Sequence, residues 1–214
     1  MFKLLKNLFG GNKPELGMAD EDFERLSAEA KGYEYDINKT CLTYKDDTSD
    51  KFWCINWIDD TVFVFYGKNG TLGRIEFMKG GKEFAEKQIK EKLGKGYKQK
   101  PDSPQDKFTQ HKSNIRPTLD SMYVMFAEEN VHIQIAAVKS LCERFCDLLR
   151  EYNGNEEKIK TVVKPLVIAL NNISNEHYII ETEERELLCE FILDGMGLAN
   201  VPNEEDITEE WREW

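Results

Sequence analysis

Two apolar runs, 52–58 and 61–66, lie in the segment KFWCINWIDDTVFVFYG and are parted only by Asp59-Asp60. Both are rich in aromatic and β-branched residues, which favour a pleated strand over a helix. Two residues leave room for a tight hairpin and nothing else. The centre of the chain is therefore expected to be an antiparallel sheet. A third run at 72–78 (LGRIEFM) follows the turn-forming Lys68-Asn69-Gly70, and CLTYK at 41–45 reads as a first strand. The period then changes. In KEFAEKQIKEKLGKGY, Phe84, Ile89 and Leu93 fall on or near one helical face, lysines and glutamates occupy the other, and Gly94 is the expected stop. An antiparallel sheet with one covering helix is an α+β arrangement.

The stretch YGKNGTLGR (66–74), followed by Phe77, Ala85 and later KEKLGKGY (90–97), resembles a WGR domain. That family is named for a Trp-Gly-Arg triplet in a strand, followed by a glycine-containing turn and a helix. The resemblance spans residues 36–100 and implies a small sheet-plus-helix binding module. In eukaryotic poly(ADP-ribose) polymerases this region touches DNA at strand breaks and other domains; stand-alone bacterial members are mostly uncharacterised. Here Tyr66 and Lys68 stand in place of the family's Trp and Arg. Tyr offers less area for stacking than Trp, and Lys lacks the bidentate fork of Arg. The candidate nucleic-acid-binding residues are Tyr66, Lys68, Arg74, Lys79, Lys92 and Lys95. Gly67, Gly70 and Gly73 are assigned to turn geometry, because no Lys-Ser/Thr follows them as in a phosphate-binding loop.

Charge supports splitting the chain. Overall it carries 29 Lys+Arg against 40 Asp+Glu over 214 residues, a net charge of -11. Residues 1–31 hold 5 basic and 6 acidic side chains, residues 32–101 hold 13 and 11, and residues 102–214 hold 11 and 23. Global acidity argues against a nucleic-acid binder, but it resides in the last half. Between the halves, KQKPDSPQDKFTQHKSN (98–114) is polar, contains Pro101 and Pro104, and reads as a linker. The expected division is 1–32 as an amphipathic N-terminal segment and helix, 33–100 as the WGR-like domain, 101–114 as linker, and 115–214 as a separate all-α helical bundle.

The last part is expected to be helical. Apolar residues repeat at 3/4 spacing across 132–152 and 156–173, with Pro165 as a kink or early break, and across 181–196. The closing run EEDITEEWREW should pack its two Trp back on the bundle. LDSMYVMF (119–126), HYIIETEERELL (177–188) and the WREW end resemble a small bacterial helical family of unknown function, which implies no activity.

In the first segment, Phe2, Leu5 and Phe9 share a helical side with lysines opposite. Residues 1–9 are either a weak peripheral membrane contact or a frayed terminus. The helix expected over 18–31 should pack on the middle domain. No apolar run is long enough for an integral membrane span. Five scattered cysteines without a secretory signal argue against a disulfide framework and for a cytoplasmic location. Cys142 and Cys146 share a helix face, as metal ligands do, but cysteines on an apolar stripe are ordinarily core residues. No metal, cofactor or catalytic residue is assigned, because no nucleotide, zinc or hydrolase motif is found. Two functions fit. One is a non-catalytic binding protein contacting DNA or RNA through the WGR-like module, with the acidic bundle modulating it. The alternative is an immunity-type protein-interaction or regulatory factor whose acidic bundle takes a basic protein partner.

Overall fold

The computed structural model describes residues 19–36, 38–127, 131–202 and 206–214. The proposed membrane contact at residues 1–9 lies outside them. The element order is α1 (Asp20–Gly32), β1 (Thr40–Lys45), β2 (Asp50–Ile58), β3 (Thr61–Lys68), β4 (Arg74–Lys79), α2 (Gly81–Gly94), β5 (Lys98–Gln99), α3 (Lys107–Lys112), a 3-10 turn, α4 (Arg116–Met125), α5 (His132–Glu151), α6 (Glu156–His177) and α7 (Thr182–Leu198). The chain is α+β: five antiparallel strands in the order β4-β3-β2-β1-β5, plus helices.

The expected hairpin is β2–β3, in which Ile58 faces Thr61 and Asp59 takes the positive φ of 52° that the two-residue turn needs. Alternation along the strands then builds two different faces. Leu42, Trp53, Ile55, Val62 and Val64 point to one side and are capped by α2 through Ala85. Phe52, Cys54, Phe63 and Phe65 point to the other side and join the core made by α5, α6 and α7, including Leu141, Phe145 and Val163. The sheet is thus a middle layer with both faces covered, which explains why β2 and β3 read as nearly continuous apolar runs.

This packing changes the expected organisation in four places. The sheet and the bundle share one hydrophobic core, so the chain boundary near residue 101 is not a packing boundary. The segment read as a linker contains α3. Asp106 caps it by accepting from the amides of Phe108 and Thr109 at 3.0 and 2.9 Å, and Phe108 and His111 are buried. Helix α1 packs not on the sheet but on α4, through Leu26, Ala30 and Val124. Arg116 fixes it there by donating to the carbonyls of Ala30 and Tyr33. Finally, α6 runs on through Pro165 to His177 without a break.

Cys41 and Cys54 are joined by a disulfide, against the expectation of none. The reason is register: they face each other directly across β1 and β2, with Cα atoms 4.1 Å apart. The remaining cysteines, Cys142, Cys146 and Cys189, are free and buried. Trp211 and Trp214 pack against the main core. Among the described residues, no helix is long and apolar enough to cross a membrane, and no cluster of His, Cys, Asp or Glu is arranged to hold a metal.

Candidate nucleic-acid interface

Helix α2 ends at Gly94, beside the end of the sheet where β2, β3 and β4 carry Trp53, Tyr66 and Arg74; Trp53 there is 3% exposed, Tyr66 half-buried and Arg74 exposed. Strand register decides what is displayed there. Trp53 stands opposite Tyr66, and Tyr66 opposite Arg74, so the three side chains form a row across β2, β3 and β4. The next row places Lys51 opposite Lys68. Arg74 lies with its guanidinium carbon 5.5 Å from the centre of the Tyr66 ring. Lys92, from the last turn of α2, reaches back over this end. Its ammonium sits 5.2 Å from the Trp53 ring centre and 5.1 Å from that of Tyr97.

These residues line a groove of about 760 Å³. Its described lining holds four cations, Lys51, Lys68, Arg74 and Lys92, and no carboxylate. Nearby acids are engaged: Glu76 accepts from the Tyr66 hydroxyl at 2.5 Å, and Asp50 accepts from Asn69 at 2.5 Å and pairs with Lys45 at 2.9 Å. That bond raises the Tyr66 hydroxyl above its ordinary pKa. Asn69 and then Lys45 hold Asp50 below the usual range. Burial, followed by the charges of Lys95 and Lys51, lowers the Lys92 ammonium.

The far wall comes from the helical half: Thr161, Val162 and Pro165 of α6 line the same groove. Pro165 has no N–H to give the Thr161 carbonyl one turn earlier. The floor is the glycine turn. Gly70 and Gly73 have φ of +79° and +86°, and a Cβ on Gly67 would meet the Gly73 Cα at 2.7 Å. Two α5-side residues clamp this turn. Arg144 donates to the Thr71 carbonyl, and the Tyr152 hydroxyl donates to the Gly70 carbonyl at 2.5 Å.

The sequence-derived candidates separate here. Tyr66, Lys68, Arg74 and Lys92 are brought together, with Gly67, Gly70 and Gly73 beneath them. Lys95 follows the end of α2 outside the groove but within electrostatic reach of Lys92. Lys79 is not part of the site: it stands at the opposite end of β4 from Arg74 and pairs with Asp60 at 3.4 Å. Lys51, Trp53 and Tyr97 were missed. The alternation Lys51, Trp53, Ile55 would have placed the first two on the α2 side, had the register with β3 been known. Comparisons with family models, curated proteins and solved structures find no match to this chain.

Proposed function

We propose that the chain is a non-catalytic binding protein whose groove at the Tyr66–Arg74 end of the sheet takes single-stranded nucleic acid. The observation that carries this reading is the pair Tyr66–Arg74, backed by the buried Trp53, beside Lys51, Lys68 and Lys92 in a groove without a lining carboxylate. Cations neutralise backbone phosphates without regard to sequence. The half-buried rings of Tyr66 and Tyr97 offer aromatic surface on which bases can stack. A volume of about 760 Å³ walled on one side by Thr161, Val162 and Pro165 of α6 is of small-ligand size, enough for a few nucleotides of a single strand. The WGR-like reading is supported by where Tyr66-Gly67-Lys68 falls, at the end of β3 and before a glycine turn, with α2 covering the same sheet. The helical half modulates the groove by walling it, while most of its negative charge lies elsewhere in the sequence.

The test is fluorescence anisotropy of a labelled oligothymidylate with the full-length chain at about 50 mM salt, a regime in which phosphate contacts count most. Binding that is lost in the Lys51→Glu/Lys68→Glu double variant is the expected result. No binding, or equal binding by the variant, overturns the reading. Capture of a basic protein that survives nuclease treatment would instead favour the interaction-factor alternative.

A further inference from the structure

A second cavity, of about 390 Å³, lies on the face of the sheet that carries Phe52, Cys54 and Phe65. It is enclosed by β1, β2, the segment after β5, and α5. Its walls contain the disulfide: Cys41 is half-buried and Cys54 is 6% exposed, and both line the space. Around them, charges of both signs are tied to one another. Lys39 pairs with Asp36 and Glu143, and Lys100 and Lys112 both pair with Asp147. One polar group stands apart: the Ser140 hydroxyl, on a residue only 3% exposed, lines the cavity and has no hydrogen-bond partner. A buried hydroxyl without a partner in a polar cavity calls for an occupant that can hydrogen-bond to it.

We propose that Cys41–Cys54 is a redox-active pair that exchanges with small polar thiols entering this cavity. The proposal is independent of nucleic-acid binding in the groove. The placement makes the two sulfurs unequal. A thiolate in the cavity attacks the Sγ of Cys41, the less buried residue of the pair. The Cys41–Cys54 bond breaks, and Cys54 departs with the electron pair and takes up the proton released by the attacking thiol. A second thiol then attacks the small-molecule sulfur of the mixed disulfide and frees Cys41 as a thiol. Two small thiols become one small disulfide while the protein gains two thiols. Excess oxidised small thiol drives the reverse. The four cations of the cavity wall, Lys39, Lys100, Lys112 and Arg144, are balanced by the carboxylates of Asp36, Asp102, Glu143 and Asp147.

The other cysteines provide an internal contrast. Cys142 and Cys146 are fully buried in the α5 core, and burial pushes the Cys146 thiol up to about 12. Cys189 is buried under the C-terminal turn, where Arg212 donates to its sulfur at 2.9 Å. Only Cys41 and Cys54 among the cysteines line the cavity, so exchange is expected at the pair.

The experiment equilibrates the native full-length chain in defined mixtures of reduced and oxidised glutathione. It is then acid-quenched, alkylated, and mapped by mass spectrometry. The expected result is a reversible two-electron titration confined to Cys41 and Cys54, and a single glutathione adduct on Cys41 in the Cys54→Ser variant. A pair fixed in one state across every mixture overturns the proposal. So does modification of Cys142, Cys146 or Cys189 at the same rate, because exchange would then require general opening of the fold. If Cys54→Ser does not fold, the wild-type titration decides alone.

Discussion

Arg144 donates to one carbonyl oxygen, that of Thr71, from both Nε and Nη2, at 3.0 and 2.8 Å. Its guanidinium also covers the Phe52 ring at 4.3 Å. One side chain on the central helix thereby holds the glycine turn that floors the groove. Burial lowers the Arg144 pKa, so the hydrogen bonds and neighbouring carboxylates, Asp147 first, keep the charge in place. Arg144→Ala is expected to lower stability by about 2 kcal/mol, the range for hydrogen bonds from a charged donor. A urea midpoint checks this, and faster amide exchange confined to residues 69–73 would accompany it.

Gly73 takes a φ of +86°, and a Cβ there would lie 2.6 Å from the Tyr66 carbonyl oxygen. Gly73→Ala should therefore cost about 1–3 kcal/mol through backbone strain. It should also shift Tyr66 within the groove, so that oligonucleotide affinity falls together with the thermal midpoint. An unchanged melting temperature would show that the turn tolerates a side chain.

Glu143 gives the fold a specific acid sensitivity. It pairs with Lys39 at 2.8 Å and with Lys139, and both also pair with Asp36. Burial alone would raise its pKa, but the two ammonium groups overcome that and hold it at about 2, below the ordinary 4.5. A carboxyl depressed in the folded state stabilises the protein above its unfolded pKa, and that stability is lost as protons bind. The loss should run from about pH 4.5 down to about 2. Glu143→Gln should cost ~3 kcal/mol at neutral pH, the low end for breaking a buried pair. Its urea midpoint should then vary less with pH across that window than the wild type's does.

Residues 33–100 are not expected to fold alone. Without α5–α7, the face carrying Phe52, Phe63 and Phe65, each 4% exposed or less, would be open to water. An exposed apolar surface of that extent leads to aggregation rather than a monomeric domain. Circular dichroism and gel filtration of that fragment check the point. A monomeric, cooperatively melting fragment would contradict the shared core.

Much of the sheet was legible because its signals are local. The Asp59-Asp60 turn, the β-branched runs and the α2 face each lie within a few residues. Residues whose placement depends on partners far away in sequence were not. The Cys41–Cys54 bond needed the β1–β2 register, which shifts every side chain to the other face with a slip of one residue. Phe108 and His111 sit in a stretch whose prolines and polar groups mask them. His111 is recognisable as core only once its ring is seen stacked on Phe191 at 4.5 Å. Lys79 and Lys92 look alike in sequence, and only the ends of β4 and α2 tell them apart.

Tyr66 separates stacking from charge. Tyr66→Ala should weaken oligothymidylate binding by about 1–3 kcal/mol, the loss of one base–aromatic stack, while leaving the salt dependence unchanged. A change in salt dependence without loss of affinity would assign Tyr66 no stacking role.

The most direct test of the groove is the slope of log affinity against log salt for oligothymidylate and the full-length chain. With Lys51, Lys68, Arg74 and Lys92 all on phosphates, the slope should be about -3 for a single strand. It should fall to about -1.5 or less in magnitude in Lys51→Glu/Lys68→Glu, which removes two of the four cations. A flat slope in the wild type, or the same steep slope in the variant, would contradict a phosphate-binding groove at this end of the sheet.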